Sequence, residues 1–93
     1  MIYVPNQKEM VDFYGIEPQA RQAMEESAEL IQAINKVLRK KDDAKNHLAE
    51  EMADVFICLE QLKCSFDISD EEIQVWIDYK FERQKKRIAE KEK

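Results

Sequence analysis

Two pairs of carboxylates are the residues of this sequence best suited to do chemistry. Glu26 and Glu29 are three residues apart, and Glu51 and Asp54 repeat that spacing later in the chain. On an α-helix, this spacing places both members of a pair on one face, about 60° apart. If the two helices pack together, four carboxylates converge, and they tolerate one another only in water or around a cation. An all-oxygen set of ligands favours Mg²⁺, with Mn²⁺ as a substitute.

The elements that must position these pairs are predicted to be helices. The 93 residues include one Gly and two Pro, too few turn formers for a β-sandwich or a β-barrel. A hydrophobic content of 44% is enough for one modest core. We therefore expect a single all-α domain over residues 1–93, with a small core like a four-helix bundle and a short N-terminal helix.

Local signals predict where the first two helices lie. Asn6 and Glu9 fit a capping pair at the start of a short helix, and Gly15 is suited to end it. Pro18 favours the first turn of a second helix, which is expected to continue to about Lys40. Its apolar stripe is predicted to contain Met24, Ala28, Ile31, Ile34, Val37 and Leu38.

Two further helices are predicted in the second half of the chain. The third is expected from about Lys45 to Cys64, and its apolar stripe should contain Leu48, Met52, Val55, Leu59 and Leu62. The fourth should begin after Ser69, which forms a capping box with Glu72, and end near Ala89. The second and third helices share a short connection, so antiparallel packing would bring the two carboxylate pairs face to face.

Basic residues continue the apolar line of the fourth helix. Lys80, Arg83 and Arg87 lie within about 80° of Ile73 on the helical wheel. Such side chains can simply extend their charged ends into water near a helix C-terminus. They can also bind phosphate, because carboxylate-bound magnesium beside Lys and Arg is typical of sites for polyphosphates. The combination favours a phosphorylated substrate.

Both carboxylate pairs lie in recognisable motifs. Residues 25–29 read E-E-S-A-E, and residues 51–54 read E-M-A-D. They resemble the E-E-x-x-E and E-x-x-D signature of MazG-like nucleotide pyrophosphohydrolases, in the all-α NTP pyrophosphatase superfamily, and the resemblance covers about residues 18–64. It implies that four residues bind magnesium and carry catalysis: Glu26, Glu29, Glu51 and Asp54.

The resemblance also implies an activity and an assembly. Relatives hydrolyse a nucleoside triphosphate to a monophosphate and pyrophosphate, which removes unwanted nucleotides, and they associate as homodimers or homotetramers. Basic residues after the second motif contact phosphates in relatives, which fits Lys80, Arg83 and Arg87. A related dUTP/dUDP hydrolase, a phosphoribosyl-ATP pyrophosphatase and a non-catalytic helical interaction module remain alternatives.

Residues that recognise the base vary among relatives and are not implied by the resemblance. Gln22 shares the face of Glu26 and could contact the nucleotide, and Trp76 could stack on a base or simply pack in the core. Phe56 and Ile57 lie off the main stripe of the third helix and are candidates for an interface between subunits.

Composition and charge exclude several other classes of protein. The net charge is −5, and the basic residues concentrate in residues 80–93, which leaves an acidic body that argues against binding of nucleic acid. No apolar run is long enough for a membrane span, and the N-terminus lacks a signal-peptide pattern, so a cytoplasmic protein is expected. Cys58 and Cys64 are expected to be small buried side chains and not a disulfide or a zinc site.

Overall fold

The computed structural model describes residues Met1–Glu92, and every regular element within them is an α-helix. The four helices are α1 (Lys8–Tyr14), α2 (Ile16–Leu38), α3 (Ala44–Phe66) and α4 (Asp70–Glu92). The predicted all-α class is therefore confirmed. None of the helices within this range has the length and apolarity needed to cross a bilayer.

Short-range interactions explain where the helices begin and end. The side chain of Asn6 accepts a hydrogen bond from the backbone N–H of Lys8 at 2.8 Å, which supports the first turn of α1. Gly15 separates α1 from α2 at φ 94°, a conformation that a side chain would strain. Pro18 lies in the first turn of α2, where its missing N–H costs no hydrogen bond. Lys40, with φ 56°, follows the end of α2.

The predicted capping box of α4 is present. The backbone N–H of Ser69 donates to the Glu72 carboxylate at 2.7 Å, and the N–H of Glu72 donates to the Ser69 hydroxyl at 3.1 Å. An ion pair between Lys63 and Asp70 joins the end of α3 to the first turn of α4. These contacts stabilise the turn between α3 and α4.

Helices α2 and α3 form the centre of the molecule, and α1 packs against both. They run antiparallel, since Gln19 near the start of α2 lines the same cavity as Gln61 near the end of α3. The inward faces repeat every three or four residues. They consist of Gln19, Ala23, Glu26, Leu30, Ala33 and Val37 on α2, and of Ala44, Leu48, Glu51, Asp54, Val55, Cys58, Gln61 and Leu62 on α3.

The predicted apolar stripes are wrong for several residues. Met24, Ile31 and Leu38 on α2 are 64%, 69% and 76% exposed, and Met52 and Leu59 on α3 are also exposed. Two lines of small or apolar residues run along α2, one facing α3 and one facing solvent. The line that faces α3 has fewer large side chains than the other. It includes alanines, which let α3 approach closely, and a carboxylate, which a hydropathy pattern assigns to solvent.

Helix α4 contributes no buried residue within Asp70–Glu92. Its first turns border an apolar groove of about 570 Å³ against α3, lined by Phe56, Ile73 and Ile77 among others. The rest of α4 makes no extended contact with α2. The single chain is thus a compact unit of α1, α2 and α3 from which α4 extends.

The two cysteines differ in environment. Both are free thiols, as expected from their spacing. Cys58 is buried between α2 and α3, but Cys64 is exposed, so the prediction that both are buried is wrong for Cys64. Cys64 lies in the last turn of α3, outside its inward line.

Candidate metal centre

Three of the four predicted carboxylates meet between α2 and α3. Glu26, Glu51 and Asp54 each offer an oxygen atom, and these atoms all lie within 4.8 Å of one another. Glu26 projects from the inward line of α2, and the other two project from the inward line of α3. Alanines at 23 and 33 on α2 leave room for this close approach. We refer to these three residues as the carboxylate cluster.

Glu51 is the most buried member of the cluster, with 6% of its surface exposed. One oxygen of Glu51 and one oxygen of Glu26, Oε2 in both cases, are buried and have no hydrogen-bond partner among the described residues. Buried acceptors without partners destabilise a fold, and buried carboxylates do so most strongly. Hard oxygen atoms that converge without donors are what a divalent cation of the Mg²⁺ type requires, so the residues present fit such an ion.

The environment of the cluster opposes its negative charge. Burial raises the pKa of Glu51, and the charges of Glu29, Glu26 and Asp54 raise it further, whereas His47 acts in the opposite direction. Burial also raises the pKa of Asp54, and the nearby charge of Glu26 raises it further. Both carboxyls are therefore harder to ionise than in water.

Glu29, the fourth predicted ligand, lies beside the cluster and not within its closest group. Its side chain is exposed on α2, one turn after Glu26. Its charge nevertheless raises the pKa of Glu51, so the two carboxylates are electrostatic neighbours. Glu29 thus faces the solvent side of the cluster.

Two polar side chains lie beside the carboxylate cluster, Gln22 on α2 and His47 on α3. The side-chain amide of Gln22 donates a hydrogen bond to Glu26 Oε1 at 2.7 Å, so Gln22 orients that carboxylate. The Nε2 atom of His47 lies 3.8 Å from Glu51 Oε1, one turn earlier on α3. In this structure Gln22, which the sequence suggested as a nucleotide contact, is a partner of the carboxylate.

A polar cavity of about 150 Å³ opens beside the cluster. Its walls are formed by Gln19, Gln22, Glu26, Asp54, Ile57, Cys58 and Gln61. Burial, followed by the charges of Glu26 and Asp54, raises the pKa of the Cys58 thiol. The thiol is therefore neutral, and it lies next to the acidic residues without the electropositive surroundings that activate cysteines.

Gln19 and Gln61 were not singled out from the sequence, and Cys58 was expected only as a small buried side chain. Gln19 and Gln61 each lie seven residues from a cluster carboxylate, Glu26 and Asp54 respectively, and Cys58 lies seven residues after Glu51. Seven residues are close to two helical turns, so each lies on the same face as its carboxylate. Reading the sequence in steps of seven from the carboxylates would have identified all three.

The predicted phosphate-binding residues lie apart from the cluster in the single chain. Lys80, Arg83 and Arg87 are on α4, which makes no extended contact with α2. The guanidinium of Arg83 lies over the ring of Tyr79, 5.8 Å from its centroid. Trp76 is 62% exposed, and its ring meets that of Tyr79 edge to face.

Fold and site together define an all-α protein with a carboxylate cluster between two antiparallel helices. The family model described as the MazG nucleotide pyrophosphohydrolase domain matches residues 16–92, and the chain belongs to this family. The match confirms the resemblance of the two motifs and extends it through α4. No curated protein and no solved structure gives a significant match.

The raised pKa values predict how the metal-free protein responds to pH. Because the folded pKa of Glu51 and of Asp54 exceeds the unfolded one, the folded state holds more protons, and stability is lost as the pH rises through the folded pKa. In EDTA, Glu51→Gln should therefore melt at a higher temperature than the wild type at pH 7, with a smaller difference near pH ~5.

Thermal melts at both pH values measure this effect, and Glu50→Gln is the matched control. Glu50 is exposed and adjacent in sequence, so removing its charge should leave the melting temperature almost unchanged. A lower melting temperature for Glu51→Gln at pH 7 would contradict the repulsion inferred among Glu26, Glu29, Glu51 and Asp54.

Proposed function

We propose that the protein is a Mg²⁺-dependent nucleoside triphosphate pyrophosphohydrolase. It would convert an NTP or dNTP and water to the monophosphate and pyrophosphate, and so remove unwanted nucleotides from the pool. The observation that carries the proposal is the buried carboxylate of Glu51, with an unpartnered oxygen, against Glu26 and Asp54 in a chain of the MazG nucleotide pyrophosphohydrolase family.

Four carboxylates would hold the metal. Glu26, Glu51 and Asp54 supply the oxygens that already converge, and Glu29 supplies a fourth from the solvent side. When bound, Mg²⁺, or Mn²⁺ in its place, supplies positive charge to the phosphate oxygens and lowers the pKa of water. The absence of donors around Glu26 Oε2 and Glu51 Oε2 supports this ligand set.

The chain's own side chains would prepare the site for hydrolysis. Gln22 holds Glu26 in place through its amide, which limits rotation of that carboxylate. Glu29 is exposed next to the buried cluster, so its carboxylate can accept the proton of a water molecule that attacks the phosphate. Pyrophosphate would leave from the side of the phosphorus opposite the attacking water, because the attacking and leaving oxygens lie in line.

The substrate phosphates need cations beyond the metal, and we assign this role to Lys80, Arg83 and Arg87. They follow one line of α4, at spacings of three and four residues. Arg83 Nε has no hydrogen-bond partner among the described residues, so no other side chain competes with a phosphate for this N–H. We propose that they reach the polyphosphate in the assembled protein. Trp76 is exposed on the same helix and could contact the nucleotide there.

Association as a homodimer or homotetramer would cover apolar surface that the single chain exposes. Met24, Ile31 and Leu38 form an exposed line on α2 with a spacing of seven residues, typical of a helix seam. Phe56 and Ile57, the predicted interface residues, line apolar grooves on α3. Exposed apolar patches of this kind mark interaction surfaces.

Pyrophosphate release tests the activity itself. The wild type should release pyrophosphate from at least one nucleotide in a panel of NTPs, dNTPs and phosphoribosyl-ATP with Mg²⁺, and EDTA should abolish release. Glu51→Gln should lower kcat/KM by about 10²–10³-fold, since several kcal/mol of metal-derived stabilisation are lost. Glu50→Gln should retain wild-type rates. A folded wild type that releases none from the whole panel would favour a non-catalytic helical module.

A separate prediction concerns the basic residues of α4. Arg83→Ala should raise KM for the nucleotide by about tenfold or more, because a charge-assisted hydrogen bond to phosphate is removed. Lys85 is the matched control, since it lies near the opposite face of α4 and its ammonium is over the ring of Phe81. Steady-state kinetics that show equal KM values for Arg83→Ala and Lys85→Ala would remove Arg83 from the phosphate site.

Light scattering tests the proposed assembly. The wild type should have a mass of two or four chains, above the 11.1 kDa of one chain. Ile31→Lys introduces a charge into the exposed seam of α2 and should reduce the mass, whereas Gln32→Lys, at an exposed neighbouring position, should not. A monomeric wild type would contradict the assembly.

A further inference from the structure

One face of α4 carries a line of mostly apolar side chains that the single chain leaves uncovered. Five residues lie within about 40° of one direction on the helical wheel, at spacings of three or four residues: Ile73, Ile77, Phe81, Gln84 and Ile88. We call these five residues the α4 seam. Ile77 is 52% exposed, and Phe81 and Ile88 are each 58% exposed. Such a line is typical of a helix that packs against another helix.

The α4 seam begins in the apolar groove between α3 and α4. Ile73 and Ile77 line this groove of about 570 Å³ together with Phe56 and Leu59 of α3. The seam then continues along α4 past the groove, where α4 makes no extended contact with another helix. A helix laid along the seam would therefore fill the groove and also cover the exposed end of the apolar line.

The two halves of α4 carry opposite net charge. Residues 70–79 contain four acidic residues and no Lys or Arg, whereas residues 80–92 contain six basic and three acidic residues. A second copy of α4 placed alongside in the antiparallel direction would bring acidic half against basic half at both ends. A parallel copy would bring like charge against like charge, which opposes association. The charge distribution thus favours an antiparallel copy of the same helix.

The α4 seam also matches itself in that orientation. When two copies run antiparallel and cross at Phe81, Ile73 of one copy lies opposite Ile88 of the other, and Ile77 lies opposite Gln84. Phe81 then meets its own equivalent at the two-fold axis. Every residue of the seam has a partner, as a two-fold symmetric contact requires.

We propose that two copies of this chain associate through antiparallel pairing of their α4 seams, so that the basic half of each α4 covers the α3–α4 groove of the other copy. The pairing does not depend on the proposed hydrolase activity. Arg83 lies about 120° from the middle of the seam on the helical wheel, so it stays open to a phosphate. Lys80 borders the seam and is exposed, and its long side chain can extend into water.

Light scattering of the full chain tests the contact. Phe81→Glu would place two carboxylates against each other at the two-fold axis and should halve the mass of the wild type. Val75→Glu is the matched control, because Val75 is 66% exposed and lies about 160° from the middle of the seam. It should retain the wild-type mass.

The same masses distinguish this pairing from association through α2 alone. A Phe81→Glu variant with the wild-type mass would overturn the pairing, even if Ile31→Lys reduces the mass. A monomeric wild type would overturn it as well.

Disulfide cross-linking tests the direction of the helices and does not require Phe81→Glu to fold. In a Cys64→Ser background, which removes the exposed thiol and leaves Cys58 buried, the double variant Ile73→Cys, Ile88→Cys should form a covalent dimer on mild oxidation. Positions 73 and 88 of one helix are about 22 Å apart, too far for a disulfide within one chain.

Each single variant is the control for the double variant. Antiparallel pairing keeps position 73 away from position 73 of the other copy, and the same holds for position 88, so neither single variant should cross-link above the Cys64→Ser background. Cross-linking of both single variants would indicate parallel helices and overturn the proposal. A double variant that forms no covalent dimer would also overturn it.

Discussion

The contact on which this structure depends is the close approach of Glu51 to Glu26 and Asp54 in the centre of the α2–α3 interface. An apolar side chain at position 51 would stabilise the packing of α2 against α3. The carboxylate of Glu51 instead loses hydration on burial and is repelled by the neighbouring carboxylates. Proteins retain such local conflicts where function requires them. The remaining residues of the interface must compensate, and they do so with a well-matched inward line of small and apolar residues.

The core of the single chain is small because polar residues occupy part of the α2–α3 interface. With polar residues at several inward positions of α2 and α3, including Gln19 and Gln61, few large apolar side chains are left to bury. Met24 and Ile31 remain on the outer face, and α4 has no buried residue within its described range. A small domain gains stability when a second chain covers its exposed apolar surface. The polar residues in the α2–α3 interface leave such surface exposed, which is why they favour the proposed assembly.

The polar cavity and the carboxylate cluster have a common wall, which contains Glu26 and Asp54. Gln22 orients Glu26 and also borders the cavity, so a ligand that moves this amide would move the carboxylate as well. In the proposed enzyme, a substrate group that enters the cavity would thus help to position a metal ligand.

The sequence by itself determined the helices and singled out the carboxylates of the candidate site. Gly15, Pro18 and the Ser69–Glu72 pair act through bonds within a few residues, so the helix bounds were predictable to within about three residues. The i,i+3 carboxylates were likewise visible, and the family match covers both pairs. The spacing of residues along one helix fixes the relative directions of their side chains. The pairing of the carboxylates on each helix could therefore be predicted without the tertiary structure.

Only the tertiary structure decided which face of each helix turns inward. Ile31 was predicted to be in the core and is exposed, whereas Gln19 and Gln61 were unremarked and line the cavity. A helical wheel fixes the angles between residues of one helix, but the rotation of that helix against its neighbour depends on the sum of all contacts across the interface. The small side chains of Ala23 and Ala33 allow the close approach that places the carboxylates together, and hydropathy alone gives such residues little weight.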